Sequence, residues 1–250
     1  MHRGVQQLTE TWPSLALAPI VEGMIDLRVE RSPEATIEAM KVACDELAGS
    51  FPSRRERRSL TAQLTLSLES PSAAAQFGEP DGLMLRSADE KDVVQFRLDG
   101  FTYSRLRPYT SWEDLKAKAE SLWAKYRDVA RPQKITRVGV RFINRIPVTP
   151  GETLDHTFTT TFTVASSLPQ AVAGFLVRIA IPFEQEQAMA IINQTMDADG
   201  THCIFDIDAF EERAEGFTEA EAWDKLVMLR NVKNRVFFGS LTQPAWENFK

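Results

Sequence analysis

Ile135-Thr136-Arg137-Val138-Gly139-Val140-Arg141-Phe142-Ile143-Asn144-Arg145-Ile146 alternates between two kinds of side chain, and that alternation decides the fold. Along a strand, successive side chains point to opposite faces. Val138, Val140 and Phe142 therefore share one face, while Arg137, Arg141 and Arg145 share the other with Gly139. A strand with one apolar and one cationic face suits an antiparallel sheet that is covered on one side only.

The same parity recurs outward from this stretch. In Ile20–Val29, Val21, Ile25 and Leu27 oppose Glu22, Asp26 and Arg28. Phe96 and Leu98 oppose Arg97 and Asp99; Val177, Ile179 and Ile181 oppose Arg178; Phe205 and Ile207 oppose Asp206 and Asp208. Ser59 to Glu69 alternates throughout, with Leu60, Ala62, Leu64, Leu66 and Leu68 on one side. A loop is expected over 71–81, then a hairpin from Leu83–Arg86 and Val93–Leu98 that continues to Arg105. Further strands are expected around Gly174–Pro182, Met189–Thr195 and His202–Phe210.

Helical spacing fills the gaps. Ser32-Pro33 reads as N-cap and first helical residue, before Ile37, Met40, Cys44 and Leu47. Thr110 and Glu113 read as a capping box ahead of the stripe Trp112, Leu115, Ala119, Leu122, Trp123 and Tyr126. Thr218 and Glu221 form a second box before Trp223, Leu226 and Leu229. The tail from Phe237 to Lys250 is apolar enough to dock through Trp246 and Phe249.

Antiparallel strands closed by helices imply an α+β fold with the helices on one face of one sheet. The order strand, helix, strands, helix occurs twice. Phe96–Phe101 and Phe205–Phe210 both fit F-x-[LI]-D-[GA]-F, and Trp112–Leu115 and Trp223–Leu226 both read W-x-x-L. These matches predict a duplicated saddle, similar in layout to helix-grip or TATA-binding-protein-like folds. An irregular arm (1–18) would precede two halves, 19–133 and 134–250, within one compact unit.

The chain of 250 residues, 43% of them hydrophobic, is long enough to bury a core without staples. Its formal charge of −6 gives no overall attraction to phosphate backbones or anionic lipid. Nucleic-acid binding would need a local patch, and Arg54-Arg55-Glu56-Arg57-Arg58 is the candidate. Cys44 and Cys203 have no CxxC spacing and read as buried thiols of a cytoplasmic protein. No apolar run is of membrane-spanning length, and Met1–Gln7 has no apolar core of a secretory signal.

Pooling the parities places Glu22, Asp26, Asp99, Asp206 and Asp208 on the bare face with Arg28, Arg97, Arg137, Arg141, Arg145 and Arg178. Every cation there is arginine, which pairs bidentately with carboxylates and suits anionic ligands or partners. Two readings follow and are compatible: a structural lattice of cross-strand pairs, or a binding site. Phe101–Thr110 adds an aromatic and arginine-rich turn, with Tyr103 and Arg105 as binding candidates.

Catalytic signatures are absent. No GxSxG, HExxH or Walker loop occurs, and adjacent His202 and Cys203 would point to opposite faces of a strand. Asp206 and Asp208 at i, i+2 resemble half of a divalent-metal site, but the surrounding arginines favour neutralisation by guanidinium. No catalytic residue, metal or cofactor is assigned.

Several blocks resemble a sporadically distributed prokaryotic family of uncharacterised proteins of this length. They are Pro19-Ile20-Val21-Glu22-Gly23-Met24-Ile25-Asp26-Leu27-Arg28, Asp99-Gly100-Phe101 with Arg105-Leu106, Tyr109-Thr110-Ser111-Trp112, Thr136–Ile146 and Phe205-Asp206-Ile207-Asp208. The resemblance covers nearly the whole chain and implies no activity; patchy distribution associates such families with mobile or defence-linked gene islands. The expected function is thus a non-enzymatic binding or regulatory protein whose Arg/Asp/Glu sheet face engages a protein partner or a second copy. One alternative is an enzyme or ligand-binding protein holding a nucleotide-like anion there, with Arg97, Arg137 and Arg141 as clamps and Asp206 and Asp208 as base or metal ligands. The other is a nucleic-acid binder.

Overall fold

β1 (Ile20–Val29) and β6 (Ile135–Pro147) pair antiparallel at the centre of a single sheet, with Asp26 opposite Gly139 and Ile25 opposite Val140. The computed structural model describes residues 12–65, 72–149, 153–170 and 172–250, and the side chains of 59–65 and 72–77 lie outside that description. The other strands are β2 (Ser53–Thr65), β3 (Ser72–Arg86), β4 (Asp92–Arg97), β5 (Gly100–Leu106), β7 (Leu176–Phe183), β8 (Ala188–Met196) and β9 (His202–Phe217). Together they form a nine-stranded antiparallel sheet in the order β2-β3-β4-β5-β1-β6-β9-β8-β7. The fold is α+β.

The helices are α1 (Ile37–Glu46), α2 (Trp112–Ala130), α3 (Glu219–Ser240) and the short α4 (Gln243–Glu247). α2 lies on β5 and β1, and α3 lies on β6, β9 and β8. Ile25, Leu27, Val138, Val140, Phe142, Phe205 and Ile207 meet them in one apolar cluster. Aromatic edges pack this layer: Phe96 stands 5.6 Å from Tyr126 and Phe101 5.8 Å from Trp123, ring centre to ring centre. Phe249 is buried and Trp246 half-buried against Phe238, so the tail docks as its composition implies.

Four local expectations need correction. The cap of α1 is Thr36, whose hydroxyl accepts from the Ala39 amide; Ser32 instead closes a preceding turn through Glu34 and Ala35. The cap of α2 is Ser111, accepting from Asp114, while Thr218 and Glu221 do form their reciprocal box on α3. The expected 71–81 loop is strand from Ser72 onward. Pairing with β2 there outweighs the weak strand preference of Ala73, Ala74 and Ala75. Phe101 to Leu106 is strand β5, which leaves only 107–111 as a loop.

Strand order is symmetric about the β1–β6 pair: β5, β4 and β3 on one side stand against β9, β8 and β7 on the other. β2 and α1 have no counterpart among the described residues. The paired motifs do not occupy equivalent places, because Phe96–Phe101 straddles the β4–β5 turn and Phe205–Phe210 runs within β9.

Candidate functional site

Three adjacent residues across the sheet, Asp26 on β1, Gly139 on β6 and Phe210 on β9, set up the bare face. With no side chain at Gly139, the Arg137 guanidinium lies over that position, 4.2 Å from the Phe210 ring centre. Arg137 Nη1 donates to Asp26 at 2.8 Å, and Nη2 donates to both oxygens of Asp208 at 3.1 and 2.8 Å. Arg97 Nη2 lies 2.9 Å from the other Asp26 oxygen, which also accepts from Thr102 at 2.7 Å. Beside this cluster, Arg141 binds Asp206 bidentately at 2.8 and 2.7 Å. Asn193 donates to Asp206 and accepts from Arg178.

A ladder of charge therefore runs from β4 to β7 on one face. Arg97, Asp26, Arg137 and Asp206 are largely buried within it. Burial pushes the Asp208 carboxyl above its usual range despite the opposing Arg137, and the hydrogen bonds that Arg141 donates to Asp206 hold its guanidinium above its own. Asp99 and Glu212 lie at the exposed rim, 3.5 and 3.4 Å from Arg97 and Arg137.

Glu22, Asp26, Arg97, Asp99, Arg137, Arg141, Asp206 and Asp208 thus share the bare face, as side-chain parity implies. Arg145 leaves the ladder at its end, bound to Asp197 at 2.6 Å and to Asp199 in the β8–β9 turn. Tyr103 and Arg105 do not join it. They lie on the helix-covered face, where both donate to Asp92, a residue that sequence reasoning passed over. The Arg54–Arg58 run lies on β2, where Arg54, Arg57 and Arg58 pair with Asp45, Asp81 and Glu56.

Cys44 and Cys203 are buried, and desolvation pushes their thiols up to about 11 and about 12. Among the described residues no group of three His, Cys, Asp or Glu side chains gathers in metal-binding geometry, and no helix is long and apolar enough to cross a membrane. No family model matches the chain, and no curated protein matches it.

β7 carries a different kind of surface. It ends the sheet, and Leu176 (72% exposed), Ala180, Ile181 (37% exposed) and Pro182 face solvent, with Arg178 its only charge. The signal was available in the apolar run Leu176–Phe183, which reads equally well as a buried strand.

Proposed function

We propose that this chain is a non-enzymatic binding protein that engages a protein partner, in the simplest form a second copy of itself, through the β7 end of its sheet. The observation that carries the reading is the contrast between the two sheet edges. An edge strand offers unpaired backbone groups to any incoming strand, and proteins commonly blunt such edges with charge. β2 opens with Arg54, Arg55, Glu56, Arg57 and Arg58 and is blunted in this way. β7 is apolar for most of its eight residues.

With one edge open and the other guarded, self-assembly closes as a two-fold pair and does not grow into a filament. The exposed rim charges of the bare face, Asp99, Arg141 and Glu212, then act in orientation and partner choice. The symmetric strand order fits an internal duplication, with α1 and β2 added to the first half. A nucleotide clamp made of Arg97, Arg137 and Arg141 has less support, because each guanidinium already has a carboxylate partner.

Light scattering coupled to size exclusion tests the proposal on the wild type and on Leu176→Lys/Ala180→Lys. Both substituted side chains are exposed, so the fold is expected to persist, checked by circular dichroism. The expected result is a dimeric wild type and a monomeric double variant. A wild type that stays monomeric at every concentration reached, or a variant with unchanged mass, overturns it.

A further inference from the structure

α3 carries two lysines on its buried stripe, and the sheet treats them differently. Lys225 is matched: its ammonium pairs with Glu211 on β9 and donates to the Glu186 carbonyl at 2.5 Å. Lys233, two turns on, is 9% exposed and has no carboxylate partner among the described residues. Its Nζ donates to the Asn234 side-chain oxygen at 2.5 Å and lies 4.2 Å from the Phe142 ring centre. A buried ammonium without a counter-ion is costly, and a lone amide oxygen does not neutralise it.

Lys233 forms part of the wall of a cavity of about 470 Å³. The cavity is bounded by segment 12–20, the loop that leads into α2, β6 and α3. That volume suits a small organic molecule and exceeds what an inorganic ion fills. Trp12, Tyr109, Trp112 and Phe237 supply flat apolar walls. Trp12, which also lines the cavity, has an indole N–H that is buried with no acceptor among the described residues, so the lining includes a donor without a partner as well as an ammonium without a counter-ion. Arg230, one turn before Lys233, strengthens the positive field; its guanidinium lies over Trp112 and 3.7 Å from Glu113.

We propose that this cavity binds a small aromatic carboxylate, with the Lys233 ammonium as its counter-ion and the Trp12 indole N–H as a second donor. Three cations line the cavity, but Arg230 is offset by Glu113 and Arg107 is exposed to solvent, so the one buried positive charge, Lys233, is balanced by one negative charge. A phosphate dianion would leave a second charge buried and unpaired. The walls favour a ring over an aliphatic chain, because flat faces at several sides accommodate stacked and edge-on contacts. This site lies on the helix-covered side of the sheet, independent of the β7 edge and of the charge ladder.

Isothermal titration of the full chain with 1-naphthoate, its neutral isostere 1-naphthamide and 1-naphthyl phosphate tests the site. Naphthoate is expected to bind at least about tenfold tighter than either relative, and Lys233→Met to lose about tenfold or more of that affinity. In a nitrogen-15 spectrum, naphthoate should move the Trp12 indole N–H resonance. Trp12→Phe keeps the ring stacked on Phe238 and removes the donor, giving a second variant with an expected loss of affinity. Equal binding of naphthoate and naphthamide, preference for the phosphate, undiminished binding by Lys233→Met, or no naphthoate binding at millimolar concentrations overturns the proposal.

Discussion

Arg137 folds its guanidinium back over Gly139 on the same strand, so closely that a Cβ on Gly139 would stand 2.8 Å from Nη1 and 3.3 Å from Phe210 Cβ. A free arginine tip would swing away from a new methyl. This one is held by Asp26 on one neighbouring strand and Asp208 on the other, so it cannot move without loosening both pairs. Gly139→Ala is therefore expected to destabilise the protein by about 1–3 kcal/mol, the usual cost of overpacking. A lowered urea midpoint with unchanged slope would show it; an unchanged midpoint would mean that the guanidinium is not confined.

Arg137→Met removes the group that balances two buried carboxylates, and breaking such a pair from one side costs about 3–5 kcal/mol. The deficit should depend on pH. Burial raises the folded-state pKa of Asp208 and Arg137 opposes that rise, so removing Arg137 raises it further. A carboxyl with a raised folded pKa binds its proton more tightly when folded. Its contribution is greatest in acid and is lost as pH rises through the folded value. The variant's deficit should be smaller near pH 4 than near pH 7 in urea titrations of both proteins. Equal deficits at both would count against Asp208 as the coupled group.

The bare face could be read from sequence because strand parity is rigid: once Val138 faces the helices, Arg137 and Gly139 cannot. Gly139 itself carried part of the message, as a residue without a side chain where the Arg137 guanidinium has to lie. Parity says nothing about which strands are neighbours, so the Asp26–Arg137–Asp208 bridge needed the sheet order. At α1 the cap falls on Thr36 and not on Ser32 because both hydroxyls can cap, and the surrounding turn selects between them. Tyr103 and Arg105 looked like binding-loop residues because their partner Asp92 lies on another strand. Lys225 and Lys233 were legible in principle, since both fall at positions of the helix otherwise filled by Leu226, Leu229, Val236 and Phe237.

Those two lysines should answer differently to the same substitution. Lys225→Met leaves Glu211 buried, with Arg213 at 2.5 Å as its one remaining ion-pair partner among the described residues, and is expected to destabilise. Lys233→Met removes a buried charge that has no carboxylate partner and is expected to be neutral or stabilising.

The Lys233 effect should also follow pH. Burial, with Arg230 adding repulsion, lowers the folded-state pKa to about 7 from an ordinary 10.5. Arg230 on its own helix, Arg107 and Tyr109 from the loop before α2, and Glu113 from the first turn of α2 are the other ionisable groups around the cavity, while β6 presents uncharged Phe142 and Asn144. Between these two pKa values the unfolded chain holds a proton that the folded chain has released, so wild-type stability rises with pH across that window. The penalty is complete below pH 7 and disappears above the unfolded value. The advantage of Lys233→Met should accordingly be greatest in mild acid, on the order of a few kcal/mol, and should vanish toward about pH 10. Urea midpoints of both proteins across the window measure it. A constant difference would place the Lys233 charge in contact with a counter-ion at all pH values and would remove the electrostatic basis for an incoming carboxylate.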